Sequence, residues 1–356
     1  MHQAPIKDNS AQHQVPSPFG SRTSGSRSGR LFRSEFLRCL ESLDREELPF
    51  SPHVVETARQ VIQAADRALL EVANERSQTS AGEGSNSETN APKSASQSNP
   101  SGISEKSVGD FVTALDLSLD RHLTQALSFI KEIVIVSEEG SVSHDLGSLP
   151  EAWLVDPLDA TTAYICGEMS LCGPMVAYLQ HGVPIFSVMF TLDGATLAIA
   201  EQGKGAGLLN VSETNSRWSL ASDFHEIQSL KDGCLLFNPQ SDRSRSHAAF
   251  DALQFEMRTG AHALAVESRI PHSMAALALG KHRRLAVVHD NCAEFPKQMA
   301  WDVLPVKLWV EERGGVYWGI DGEPYDILRP MPIIVATRPD IARRLIGLSK
   351  KADQLS

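Results

Sequence analysis

One stretch constrains this chain more than any other: residues 153–164, WLVDPLDATTAY. Trp153, Leu154 and Val155 form a short apolar run that suits a buried strand. Pro157 fixes its own φ and drives Asp156 toward extended geometry, so the strand is predicted to end there in a stiff corner. Asp159 or Thr161 then offers a short side-chain oxygen to the orphan amides of a helix's first turn. Two carboxylates three residues apart, at a strand's carboxyl end beside a helix N-terminus, suit a hard cation and an anion together. That combination points to phosphate chemistry. The same residues also read as a turn cap at Asp156 and a helix cap at Asp159, and the rest of the chain has to decide between the two.

With 33 Lys and Arg against 44 Asp and Glu, the chain carries a formal charge of -11. A general nucleic-acid binder or a protein of anionic membranes needs basic patches, so both classes are disfavoured. An acidic enzyme working on phosphorylated substrates must supply positive charge locally, and bound metal is the usual way. The five cysteines (Cys39, Cys166, Cys172, Cys234 and Cys292) are odd in number and form no CxxC pair. That fits packing thiols in a reducing compartment better than a disulfide framework or a zinc site. No apolar run reaches about 18 residues and no secretory h-region opens the chain. The expectation is a cytoplasmic protein. A basic stretch over 10–34 leaves organellar import by the N-terminal tail open.

Residues 1–30 are rich in Ser, Arg, Gln and Gly and are expected to form a disordered tail. A short helix is expected over 31–43, and a longer one from about Ser51 to Asn74, with Pro52 in its first turn. Residues 77–104 have almost no large apolar side chain and read as a flexible insertion. From Lys106 onward helical and strand patterns alternate. DFVTALD (110–116) is predicted to be a strand running into a helix over 117–130, and IVIVSEEG (133–140) a buried strand ending in two acids. Residues 172–191 and 195–210 read as antiparallel hairpins. Strands at 233–238, 285–289 and 333–337 and helices near 245–255, 303–313 and 339–349 complete the pattern. The fold class is therefore α/β, in layers. The domain should span 51–350, with subregions of about 51–215 and 216–350.

Three further acids stand where chemistry could use them. Glu138 and Glu139 come directly after the apolar run IVIVS, and one of them reaches the DPLD acids if the two strands are neighbours. Asp302, in AWDVLPVKLWVEERGG, reads equally well as a helix N-cap, with Pro305 harmless in the first turn. Taken in order, DFVTALD (110–116), SEEG (137–140), DPLDATT (156–162), Trp301-Asp302 and GGVYWGIDGEPY (314–325) closely resemble the inositol monophosphatase family of Mg²⁺-dependent phosphomonoesterases, within the fructose-bisphosphatase-like superfamily. The match covers about residues 52–348, apart from the insertion. Five motifs in one order are far more specific than any one alone.

The resemblance implies an αβαβα sugar-phosphatase fold with mixed sheets. It implies that Glu139, Asp156, the carbonyl of Leu158, Asp159 and Asp302 ligate Mg²⁺, and that Thr161 with Glu139 orients the attacking water, Asp116 helping from the edge. It further implies that the amides of Ala160 and Thr161 hold phosphate, that Lys106 is a loop lysine of the site, and that Glu294 binds a substrate hydroxyl. Relatives are often dimers, which leaves a homodimer open. The substrate class is a small phosphorylated alcohol such as an inositol phosphate. The continuation TTAYICGEMSLCGPM resembles the histidinol-phosphate phosphatase branch, and a 3′(2′),5′-bisphosphate nucleotidase is a further alternative. A binding or regulatory relative without strong catalysis is the non-enzymatic one. The family has Gly where this chain has Ala160: a negative φ there would cost little, whereas a positive φ would strain the start of the helix.

Overall fold

The computed structural model describes residues 36–38, 49–82, 103–107, 110–140, 145–211, 216–220, 234–238, 264–267, 286–290, 299–326 and 333–353. The expected N-terminal tail, the helix near 245–255 and Glu294 lie outside the described residues. Of the helix expected over 31–43, residues 36–38 are described, and they are helical.

Helix α1 (Pro52–Gly82) is longer than expected and runs into the start of the polar insertion. Its apolar face, including Val54, Ala58, Val61, Ile62 and Ala65, is fully or almost fully buried. A hairpin of β1 (Ser104–Ser107) and β2 (Asp110–Val112) comes next, with a bulge in register at Lys106. Helix α2 (Ala114–Ile130) starts three residues before the expected position. The reason is a capping box: the Thr113 side chain accepts from the Leu115 amide, while the Thr113 amide donates to Asp116 Oδ2 at 2.8 Å. Asp116 thus belongs to the helix and not to a strand.

The larger sheet takes its strands in chain order: β3 (Val134–Ser137), β4 (Glu151–Asp159), β5 (Gly173–Gln180), β6 (Val183–Phe190), β7 (Thr196–Glu201), β8 (Gly205–Val211) and β9 (Ser216–Leu220). Only β3 and β4 pair in parallel; the rest are antiparallel hairpin neighbours. β4 is buried on both faces. Trp153 and Val155 pack with α1 and α2, while Leu154 packs with Ala300 and Leu304 on the opposite side. Fully burying one such side chain contributes about 1.5–3 kcal/mol, so β4 is anchored far more firmly than a surface strand.

The second sheet has the order β11–β10–β12–β14–β13, built from β10 (Cys234–Asn238), β11 (Leu264–Glu267), β12 (Ala286–Asp290), β13 (Val316–Gly319) and β14 (Ile333–Ala336). Its pairs β10–β11 and β10–β12 are parallel, and β12–β14 and β13–β14 antiparallel. After the short helix α3 (Thr161–Ile165), the helix α4 (Ala300–Glu312) lies between the two sheets. Val303, Val306 and Trp309 meet Met175 and Met189 of one sheet and Tyr317 and Val335 of the other in a single core. A helix apolar on all sides is what that central layer requires. Helix α5 (Pro339–Asp353) closes the far face through Ile341, Ala342 and Leu345. The layers are α1/α2, large sheet, α4, small sheet, α5, which is the αβαβα order with mixed sheets.

Candidate active site

β4 does not stop at Pro157 as the dihedral argument predicted. It bulges between Asp156 and Asp159 and then resumes pairing with Asp159 opposite Gly173. The Leu158 amide donates to Asp156 Oδ1 at 3.0 Å, closing the bulge around the carboxylate. A β-bulge re-aims side chains without ending the strand, so both acids stay on a well-packed element. Gly173 makes this possible, because a Cβ there would fall 1.9 Å from the Phe190 carbonyl oxygen.

Neither Asp159 nor Thr161 is the N-cap of α3. That position belongs to Ala160, which sits in left-handed geometry at φ 67 and ψ 48 and makes no side-chain cap bond. The positive φ that the Gly-for-Ala difference left open is therefore real. The Ala160 amide turns back to the Asp159 carboxylate, and its carbonyl accepts from the Ala163 and Tyr164 amides at 2.8 and 3.2 Å.

Thr161 Oγ1 lies 2.8 Å from Asp116 Oδ1 and 3.2 Å from the Leu158 carbonyl oxygen. Asp116 is 1 % exposed. Its second oxygen is tied to Thr113, so its first is aimed at Thr161. Asp302 is held in the same manner. It occupies the third position of α4, not the cap, and its Oδ2 accepts from the Met299 amide at 3.1 Å. Each of these two acids is thus fixed by one oxygen at a helix start.

The charges at the end of β4 are strongly coupled. Burial pushes the Asp156 carboxyl well up, and the charges of Glu138, Asp159 and Asp302 push it further. Burial raises Asp159 likewise, followed by the charges of Asp302 and Glu138, with the Ala160 amide opposing. Asp159 Oδ2 is buried and accepts no hydrogen bond from the described residues. Burial also raises the Cys172 thiol, which lies close enough to feel Asp159 and Asp116, so it is a packing thiol and not a nucleophile.

The glutamate that hydrogen-bonds Asp156 is Glu138, the neighbour of Glu139, which the resemblance implies as a ligand. Ser137 is in register with Val155, and the Glu138 amide donates to the Val155 carbonyl at 3.1 Å, extending the ladder by one step. Glu138 therefore comes level with Asp156, and Glu139 falls one place further along the turn. The signal was present in the sequence as two adjacent strands ending in acids, but choosing between neighbours needed the register. Lys106 is at the bulge of the β1–β2 hairpin.

Among the described residues no three His, Cys, Asp or Glu side chains form a ready-made metal cage. The donor set nevertheless fits a hard cation. An orphaned buried carboxylate oxygen beside like charges is a poor arrangement for a protein alone and a good one around a cation. Mg²⁺ keeps several waters and needs only one or two carboxylates, so an all-protein cage is not the expected form.

A profile of the inositol monophosphatase family matches residues 53–354. The chain belongs to that family. Among its relatives is a putative Nus factor SuhB of Neisseria meningitidis serogroup B, 26% identical over 246 residues, which is 68% of this chain and 85% of the relative. Among solved structures, the extragenic suppressor protein SuhB of Bartonella henselae superposes with a TM-score of 0.54 at 19% identity, covering 70% of this chain and 88% of that one. An IMPase/NADP phosphatase complexed with Mg²⁺ and phosphate gives a TM-score of 0.51 at 18% identity, covering 69% and 85%. At such identities the superpositions establish the inositol monophosphatase fold. Among the described residues no helix is long and apolar enough to cross a membrane.

Proposed function

We propose that this chain is a Mg²⁺-dependent phosphomonoesterase acting on a small phosphorylated alcohol. The observation that carries the reading is the buried, unpartnered Oδ2 of Asp159 beside Asp156, both carboxyls raised by burial and by each other's neighbours. Glu138, Asp156, Asp159, Asp302 and the Leu158 carbonyl would hold the cation. When bound, Mg²⁺ supplies Lewis-acid stabilisation of the phosphoryl oxygens and a lowered pKa for water. The family membership and the Mg²⁺ and phosphate named for a relative of the same fold support this reading.

The chain's own residues then have defined tasks. Asp116 accepts a hydrogen bond from Thr161 Oγ1, which leaves a lone pair of that oxygen to accept from a water and orient it toward phosphorus. Asp156 stays seated by the Leu158 amide. Because the Ala160 amide is turned to Asp159, phosphate binding falls to Thr161 and the cation more than to Ala160. Lys106 and Glu294 remain candidates for substrate contacts. An inositol phosphate is the leading substrate, with histidinol phosphate and a nucleotide 3′-phosphate as alternatives, and the cytoplasm the proposed setting.

A second reading, a catalytically weak regulatory relative, is favoured by one observation: left-handed Ala160 between two site residues. Phosphate release from p-nitrophenyl phosphate and from the three substrate classes, with and without Mg²⁺, separates the two. Release only with Mg²⁺ supports the phosphatase. No release from any ester by folded protein, with no Mg²⁺-induced rise in Tm, favours the regulatory relative.

A further inference from the structure

Helix α2 carries two carboxylates four residues apart, Asp116 and Asp120, which this spacing places on one face. The first receives Thr161, just past the end of β4. The second receives the end of β3: Ser137 Oγ donates to Asp120 Oδ1 at 2.5 Å. Ser137 is only 7% exposed, so this bond is shielded from competing water.

The bond matters because of the residue that Ser137 carries next in the chain. Glu138 has an amide that continues the ladder onto Val155 and a carboxyl that meets Asp156. β3 is four residues long and, among the described residues, lies at the edge of the large sheet with β4 as its one sheet neighbour. An edge strand of that length has little to hold its last residue in place. From Ser137 the chain also turns at once, the Gly140 amide closing back onto the Ser137 carbonyl at 3.0 Å. Ser137 is therefore the pivot of the turn that presents Glu138.

We infer that Asp120 is a positioning residue of the site, acting through Ser137 to hold Glu138 level with Asp156. One face of α2 then gauges both halves of the acidic cluster, Asp116 setting the β4 side and Asp120 the β3 side. A sequence pattern would pass over Asp120, which looks like a solvated helix acid. The inference rests on the phosphatase reading for what Glu138 does, but the mechanical link from Asp120 to Glu138 stands on the hydrogen bonds alone.

The experiment uses the full chain and two variants that break the link from opposite ends, Asp120→Ala and Ser137→Gly, with Ser137→Thr keeping the hydroxyl. Three quantities are read: Tm in chelator, the rise in Tm with MgCl₂, and hydrogen exchange at the Glu138 amide. Outer partners of metal ligands typically cost 10–100-fold in metal affinity when removed. Both breaking variants should need roughly tenfold more Mg²⁺ for the same rise in Tm and exchange the Glu138 amide roughly tenfold faster, by analogy with that range. Their Tm in chelator should stay near that of the wild type, and Ser137→Thr should restore both readouts. Wild-type exchange at Glu138 in both breaking variants overturns the inference, as does an unchanged Mg²⁺ response where the wild type responds. A wild-type chain with no Mg²⁺ response and no ester hydrolysis overturns the phosphatase reading instead, and exchange at Glu138 still decides whether the link exists.

Discussion

Asp116 and Thr161 lie 45 residues apart in the chain, yet the Thr161 hydroxyl donates to Asp116 Oδ1 at 2.8 Å. The bond joins the first turn of α2 to the first turn of α3 directly beside the acidic end of β4. Its two ends are fixed differently: Asp116 by the capping box with Thr113, and Thr161 by the bulge and turn that precede it.

This pairing predicts a catalytic role that depends on hydroxyl chemistry and not on size. Thr161→Val should lower Mg²⁺-dependent kcat by at least about 10²-fold, the lower end for loss of a positioned proton acceptor, while Thr161→Ser keeps most of it. Steady-state hydrolysis of the best ester from the substrate panel measures this. A Val variant with nearly wild-type kcat would remove Thr161 from the chemistry.

Asp156→Asn should act in opposite directions on activity and stability. Asp156 is raised by burial and by the charges of Glu138, Asp159 and Asp302, so the ionised form is resisted by its surroundings. Asn retains the oxygen that accepts from the Leu158 amide and removes one of the like charges. Mg²⁺-dependent turnover should vanish, whereas Tm in chelator should rise by a few degrees, corresponding to about 1 kcal/mol. Melting curves with and without chelator test both halves. A fall in the metal-free Tm would show that the charges are not in conflict.

Ala160→Gly should stabilise the protein. A residue with a Cβ in left-handed geometry is held there at a cost of about 1–2 kcal/mol that glycine does not bear. Glycine's greater freedom in the unfolded chain returns part of this, as does loss of the methyl contact with the core around α1 and α2. A net gain of about 0.5–1 kcal/mol in denaturant unfolding is expected. Lower stability would mean that the methyl's packing outweighs the backbone strain.

Glu201 should make stability depend on acid. Burial alone would raise its carboxyl, but hydrogen bonds from the Ser51 hydroxyl and amide, with Lys204 beside it, outweigh burial and hold it below the ordinary glutamate value. The Ser51 amide donates to Oε2 at 2.6 Å at the start of α1. A depressed folded pKa contributes stability that is fully present above the unfolded value and lost as pH falls through the folded one. The contribution should be complete at neutral pH and fade below about pH 4.5, the unfolded range of glutamate. Glu201→Gln should cost about 2 kcal/mol at pH 7 and much less at pH 3, as charge-assisted bonds are replaced. An equal cost at both values would show that the charge contributes nothing.

Much of the site was legible because its parts are local. WLVDPLD announces a buried strand ending in acids, and the alternation of helical and strand patterns gives the layered α/β class, the αβαβα order coming from the resemblance. The errors also have physical causes. Pro157 was read as the end of β4, but the Leu158 amide bonded to Asp156 and the pairing of Asp159 with Gly173 carry the strand through a bulge. DFVTALD reads as a strand running into a helix at 117, but the Thr113–Asp116 capping box starts the helix at Ala114. Reciprocal hydrogen bonds at a helix start outweigh a weak strand pattern.

The sequence by itself determined which residue types were available, where strands and helices begin to within a few positions, and that the family's acids occur in the family's order. These are properties of short windows, governed by side-chain shape, backbone propensity and apolar period. Only the tertiary structure decided that Glu138 stands against Asp156, that Ala160 adopts a positive φ, and that Asp120 reaches Ser137. Each of those depends on strand register or on packing between elements far apart in the chain. A shift of one residue reverses which side chain faces the site, and no local preference is strong enough to specify it.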